Sequence, residues 1–227
     1  MKHRPVIRGF DSETHDGIPF LLTCSDGSWL DLRGWTPGKE MTLKILDFIY
    51  LHSREINVWY NISFDMGAIL KPWLLEATSD EIDELRKMKR AAVDSFTLKI
   101  VNGKGFEIRR GHHDWKGHFD IANFYRGSNG DNSLEDVARD FLGEGKDPMD
   151  REKLGSDWDY VNRNWADVVK YGVKDAELTA RLGDILVDSV YELYGVYPRV
   201  LYSNASVSKA WLQVHKSWLK GYYRKFA

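Results

Sequence analysis

An apolar run from Pro5 to Phe10 leads directly into two carboxylates, Asp11 and Glu13, with one residue between them. The run has the length and composition of a short buried strand. In extended backbone, residues i and i+2 project to the same face, so Asp11 and Glu13 reach one site while Phe10 and Ser12 face the other way. Two like charges held side by side repel each other, and a hard divalent cation is the usual resolution. An ordinary turn containing Asp-x-Glu fits the same letters, so the pair by itself leaves both readings open.

The rest of the chain reads as strands, then alternating strands and helices, then helices alone. Ile18–Thr23 and Ser28–Leu32 are strand-like and flank the turn residues Ser25, Asp26 and Gly27. A helix fits Met41–His52, a strand Ile56–Tyr60, a helix Phe64–Leu75 interrupted near Pro72, and a charged helix Thr78–Arg90 that starts at Ser79. Asp94–Val101 and Phe106–Arg110 flank the hairpin signal at 102–105, and Trp115–Ile121 is a further strand. Ser133 opens a helix with Asp136 in the manner of a capping box. Leu142–Asp159 reads as loop, Asn162–Val190 as helix, and Ser203–Gly221 as a last helix with a stripe at Val207, Trp211, Val214 and Trp218. This order predicts an α/β domain with a mixed central sheet flanked by helices over residues 1–198, and a basic, aromatic helical extension over 199–227.

Two further constellations carry carboxylates. Asn61, Phe64 and Asp65 stand where a strand meets a helix. Asp65 there either complements the helix dipole or serves as a ligand, and an amide and a ring beside it suit the stacking of a nucleic-acid end. Tyr171 and Asp175 lie at i and i+4, hence on one helical face, where Asp175 also fits a simple surface charge paired with Arg181.

Taken together, the order, spacing and context of Asp11-x-Glu13, Asn61-x-x-Phe64-Asp65 and Tyr171-x-x-x-Asp175 resemble the three exonuclease motifs of the DEDD superfamily, in its tyrosine subclass. The resemblance is closest to the proofreading domain of family B DNA polymerases and covers roughly residues 6–186. Ser133-Leu134 is similar to a single-stranded DNA contact motif of protein-primed, phage-type polymerases, and Lys146 sits where those enzymes carry a functional lysine. The resemblance implies a ribonuclease H-like fold and hydrolysis of a terminal phosphodiester with two divalent cations, Mg²⁺ or Mn²⁺. It implies one cation held by Asp11, Glu13 and Asp175, a second held mainly by Asp11 with Asp65 supporting through water, and Tyr171 orienting the attacking water. Thr14, Asn61, Phe64, Ser133, Leu134 and Lys146 are the implied nucleic-acid contacts. An exoribonuclease uses the same carboxylates, and a catalytically silent binding module is a third reading against which the full set of acidic residues and the tyrosine argue.

Composition adds limits. Net charge is −2, with basic residues clustered at Lys87, Lys89 and Arg90, at Arg109 and Arg110, and from Lys209 to the C-terminus. The ordinary reading of each cluster is solvated surface, and phosphate contact gains weight only beside the nuclease motifs. The one cysteine, Cys24, rules out an intramolecular disulfide and a cysteine-cluster metal site. His112, His113 and His118 have no ligand-like carboxylate or cysteine spacing and read as surface residues. No run reaches membrane-span length, and Asp11, Glu13 and Asp16 interrupt any signal-peptide pattern, so the expected setting is intracellular and cytoplasmic. The expected partners are single-stranded DNA 3′ ends, with RNA as the alternative, and a polymerase or replication protein. The length is compatible with a standalone exonuclease of viral or archaeal type or with an N-terminal piece of a polymerase.

Overall fold

The computed structural model describes residues 3–101, 103–125 and 133–208. β1 (Ile7–His15), β2 (Ile18–Cys24) and β3 (Trp29–Asp31) form an antiparallel meander. The β1–β2 hairpin closes through Asp16 and Gly17, both at positive φ (52° and 72°), the conformation that an Asp-Gly pair takes at least cost. Because the hairpin pairs to its tip, β1 continues past Phe10, where the sequence pattern ended it. Asp11 and Glu13 therefore lie within the strand, opposite Thr23 and Leu21, with a register shift after Glu13. β4 (Ile56–Trp59) joins β1 in parallel, and β8 (Lys116–Asp120) joins β4 in parallel. β5 (Arg90–Val93), β6 (Phe96–Val101) and β7 (Gly105–Arg110) complete an eight-stranded mixed sheet in the order β3-β2-β1-β4-β8-β7-β6-β5.

The helices are α1 (Lys39–His52), α2 (Ile62–Leu74), α3 (Ser79–Met88), α4 (Ala122–Tyr125), α5 (Leu134–Leu142), α6 (Arg151–Ser156), α7 (Trp158–Arg163) and α8 (Trp165–Tyr194). This is an α/β architecture with a mixed sheet, as the element order predicted, and it is compatible with a ribonuclease H-like fold. Several boundaries differ from the sequence pattern by a few residues, and three differ in kind. Lys89 turns left-handed (φ 53°) after α3, so Arg90 opens a strand and does not close a helix; the capping box is Thr78–Glu81. The segment 142–159, rich in glycine and charge, still holds α6, because Asp150 caps it and Leu154 is buried. Asn164 separates α7 from α8, so the last 30-residue helix begins at Trp165. The Ser133–Asp136 capping box forms as read. Of the expected final helix, 204–208 are helical, while Trp211, Val214, Trp218 and the basic residues from Lys209 on lie outside the described residues. Among the described residues no helix is long and apolar enough to cross a membrane.

Alternation along β1 decides what meets what. Phe10 packs into the α1/α2 side of the sheet, stacked on Trp59 at 5.3 Å. Gly9 faces α8 so closely that a Cβ there would lie 2.0 Å from the Ala176 carbonyl oxygen and 2.8 Å from the Ala180 nitrogen. Gly172, Ala176, Ala180 and Gly183 make a small-residue seam along α8, with Thr23 Oγ1 donating to the Gly172 carbonyl at 2.8 Å. The seam lets helix backbone lie directly on the sheet.

His118 is fully buried, which corrects its reading as a surface residue; His112 and His113 are exposed. Its ring stacks on Phe106 at 4.5 Å. Trp59 Nε1–H donates to His118 Nδ1 at 3.0 Å, so Nε2 carries the proton, which points to Ser53 Oγ at 3.0 Å; that hydroxyl donates to the Ile49 carbonyl at 2.7 Å. A proton on Nδ1 would set two donors head to head. Burial accordingly lowers the pKa from 6.5 to about 3. The unfolded chain then binds this proton more readily, so the stability it gives is complete above pH 6.5 and is lost as pH falls toward 3, at about 1.4 kcal/mol per pH unit. Urea unfolding of His118→Gln at pH 7 and pH 4.5 is expected to show a pH dependence smaller than wild type by up to about 3 kcal/mol. Identical pH dependence in the two proteins would refute a neutral, locked imidazole.

Candidate active site

Three carboxylates converge where the α8 seam meets β1. Asp11 and Glu13 share the strand face that Gly9 presents to α8, and Asp175 immediately precedes Ala176, the residue that touches Gly9. One oxygen from each of Asp11, Glu13 and Asp175 lies within 4.8 Å of the others. Asp11 and Glu13 keep part of their surface open to a cleft, whereas Asp175 is buried. One turn before it, Tyr171 is buried as well, its hydroxyl accepting from Lys146 Nζ at 3.1 Å. Lys146 also pairs with Asp175 Oδ2, while Asp175 Oδ1 is buried without a hydrogen-bond partner.

Such crowding has an electrostatic signature. Burial, then the charges of Glu13, Asp175 and Asp65, raise the Asp11 pKa well above the carboxylate range. Burial and Asp175 raise Glu13 likewise. For Asp175 burial again dominates, opposed by Lys146, Tyr171 and Arg151. Burial disfavours the Lys146 charge, but Asp175, Asp11 and Tyr171 outweigh it and raise the ammonium's pKa. Tyr171 is pushed to about 12, chiefly by burial, so its hydroxyl is a hydrogen-bond donor at neutral pH.

Asp65 arrives from the other face of β1. It sits in the first turn of α2 and accepts a 2.6 Å hydrogen bond from Ser12 Oγ, the residue between the two strand carboxylates. It lies outside the tight trio, yet lines the same cleft and contributes to the raised pKa values of Asp11 and Glu13. Asn61, left-handed at φ 65°, precedes α2; its backbone N–H and that of Ala122 both donate to Asp120 Oδ1 at 3.0 Å. Asparagine tolerates this conformation better than most residues. Asp120 thus fixes the turn that delivers Asn61, Phe64 and Asp65, a role that its position at a strand end does not disclose. Phe64 is 57% exposed at the lip of the cleft, and Thr14 lines the cleft beside Glu13.

Ser133 and Leu134 do not line this cleft. Ser133 Oγ is engaged with Asp136 as a helix cap, and Leu134 is packed in the core beneath α5. Conversely, Tyr60, Arg151, Leu154 and Gly155 line it although the motifs did not single them out. The signal for α6 was present in Asp150, three residues before Lys153, whose backbone N–H it accepts at 3.1 Å.

The cleft encloses about 490 Å³ and is walled by these polar groups. Hard oxygen donors in a trio, and a buried Asp175 oxygen with no partner, fit a hard divalent cation. Cys24, Asp26 and His52 also group within 4.8 Å. There Asp26 is already bound by Arg8 at 3.0 Å and His52 at 3.2 Å, and burial pushes the thiol up to about 12, so that group reads as a loop anchor. No protein-family model matches the sequence, and no curated protein matches it.

Proposed function

We propose that this chain is a metal-dependent 3′→5′ exonuclease on single-stranded DNA, with a ribonuclease H-like fold and the tyrosine form of the DEDD site. The observation that carries the reading is the trio of Asp11, Glu13 and Asp175 with oxygens within 4.8 Å, beside Asp65 and Tyr171 in one cleft. Asp11, Glu13 and Asp175 would hold one divalent cation, and Asp11 with Asp65 a second; when bound, such ions supply Lewis-acid stabilisation of phosphoryl charge and activation of water. The protein groups do the rest. Tyr171 stays protonated and donates a hydrogen bond that orients the attacking water or a phosphate oxygen. Lys146 holds the Asp175 carboxylate and the Tyr171 hydroxyl in one arrangement. Phe64 offers a ring face on which the terminal base stacks. Water adds to the last phosphorus, the bond to the preceding 3′ oxygen breaks, that oxygen takes a proton, and a nucleoside 5′-monophosphate leaves.

The test is digestion of 5′-labelled single-stranded DNA and RNA oligomers in Mg²⁺ or Mn²⁺, with and without EDTA. The expected result is a ladder shortening from the 3′ end of DNA, abolished by EDTA. Internal cuts, cleavage unaffected by EDTA, or no cleavage of either polymer would refute the proposal, and faster loss of RNA would reassign the substrate.

A further inference from the structure

We propose that Arg151 is a substrate-binding residue whose guanidinium grips the phosphate of the terminal nucleotide. The inference rests on the nuclease reading of the same cleft and adds a residue that the three carboxylate motifs do not contain. Two cations line the cleft among the described residues, Lys146 and Arg151. Lys146 is committed, since it is 13% exposed, paired with Asp175 and bonded to Tyr171. Arg151 is exposed and no ion pair among the described residues ties it to a carboxylate; its guanidinium hydrogen-bonds the Tyr171 hydroxyl and senses the charges of Asp175 and Glu13. It is nevertheless held in place. Arg151 and Leu154 lie at i and i+3 on one face of α6, and Leu154 is buried against Phe20, Leu21 and Tyr171. Asp16 N–H donates to the Gly155 carbonyl at 3.4 Å, tying the same turn to the β1–β2 hairpin.

The placement answers a charge problem. A phosphate that approaches Asp11, Glu13, Asp65 and Asp175 meets like charge, and in phosphoryl transfer more negative charge gathers on its non-bridging oxygens. A planar guanidinium lining the same cleft, with N–H groups beyond the one turned to Tyr171, matches two such oxygens at once, which a lysine ammonium cannot do.

Binding separates this idea from the nuclease reading. The full-length wild type, Arg151→Ala and Arg151→Lys would be titrated by calorimetry with thymidine 5′-monophosphate and with thymidine, in Mg²⁺. Wild type is expected to prefer the nucleotide. Arg151→Ala should lose about 10- to 100-fold in nucleotide affinity with thymidine affinity unchanged, and Arg151→Lys should recover part of the loss. Thermal midpoints equal to wild type would show that both variants fold. The same affinity for the nucleotide in wild type and Arg151→Ala would overturn the assignment even if wild type digests DNA from its 3′ end. A wild type that fails to bind the nucleotide would overturn it as well, and failure of the oligomer digestion would mark that as failure of the nuclease reading.

Discussion

Replacing Asp11 by asparagine is expected to stabilise the protein in EDTA and, in the same molecule, to lower the proposed nuclease turnover by about 1,000-fold or more. Both halves come from one fact. Asp11 is enclosed with Glu13, Asp175 and Asp65, and burial followed by their charges raises its pKa well above the ordinary 3.8. A carboxyl whose folded pKa exceeds its unfolded value costs stability above the unfolded value, and the cost grows until pH reaches the folded one. Asparagine keeps the shape and removes the charge, so the variant should be the more stable of the two at pH 8 in EDTA, and the gain should fall away as pH drops toward the ordinary 3.8. On the proposed reading turnover falls because Asp11 would serve both cation positions. Chemical denaturation in EDTA, repeated with Mn²⁺, checks the first half. Mn²⁺ should stabilise wild type and leave Asp11→Asn nearly unchanged. A variant less stable than wild type in EDTA at pH 8 would contradict the account of the cluster, and a variant that cleaves at the wild-type rate would remove Asp11 from the chemistry.

Gly9→Ala is expected to destabilise the protein by about 3 kcal/mol or more and to abolish activity without touching any carboxylate. The added Cβ would fall 2.0 Å from the Ala176 carbonyl oxygen, 2.8 Å from the Ala180 nitrogen and 3.0 Å from the Ala180 Cβ. Two of these are backbone atoms inside a 30-residue helix, so no side-chain rotation relieves the contact. Helix α8 must shift away from β1, and Asp175, next to Ala176, moves with it away from Asp11 and Glu13. Gly67→Ala in α2 is the matched control. A Cβ there meets nothing within 4 Å, and alanine in a helix interior should add up to about 1 kcal/mol. Unfolding midpoints of both variants, with Mn²⁺ affinity of whichever stay folded, decide the matter. A Gly9→Ala protein as stable as wild type would show that the helix does not sit on the strand in this way.

The alternating pattern of β1 was readable because it is local. Phe10 faces the core on one side and Asp11 and Glu13 share the other, as the two-residue period requires. The strand's extent was harder to read, since polar residues beyond Phe10 look like loop until β2 pairs with them. His118 shows the same limit. A histidine between Gly117 and Phe119 has no local mark of burial, and only the convergence of Trp59, Ser53 and Phe106 from three other elements makes it a core residue. Arg151 was hidden by composition, because glycine and charge in its segment outweighed the capping aspartate and the single leucine that anchor α6.

From the sequence alone came the α/β class and the helical offset that aligns Tyr171 with Asp175, both consequences of backbone periodicity, and the carboxylate set, which the joint motif resemblance picked out. Tertiary structure decided how the four carboxylates are distributed. Asp175 joins Asp11 and Glu13 through the glycine-alanine seam on one face of β1, and Asp65 comes from α2 on the other face, bonded to Ser12. Periodicity sets which way a side chain points, but which distant group stands opposite depends on how closely two backbones can approach. Here a hydrogen atom in place of a Cβ at Gly9 sets that distance.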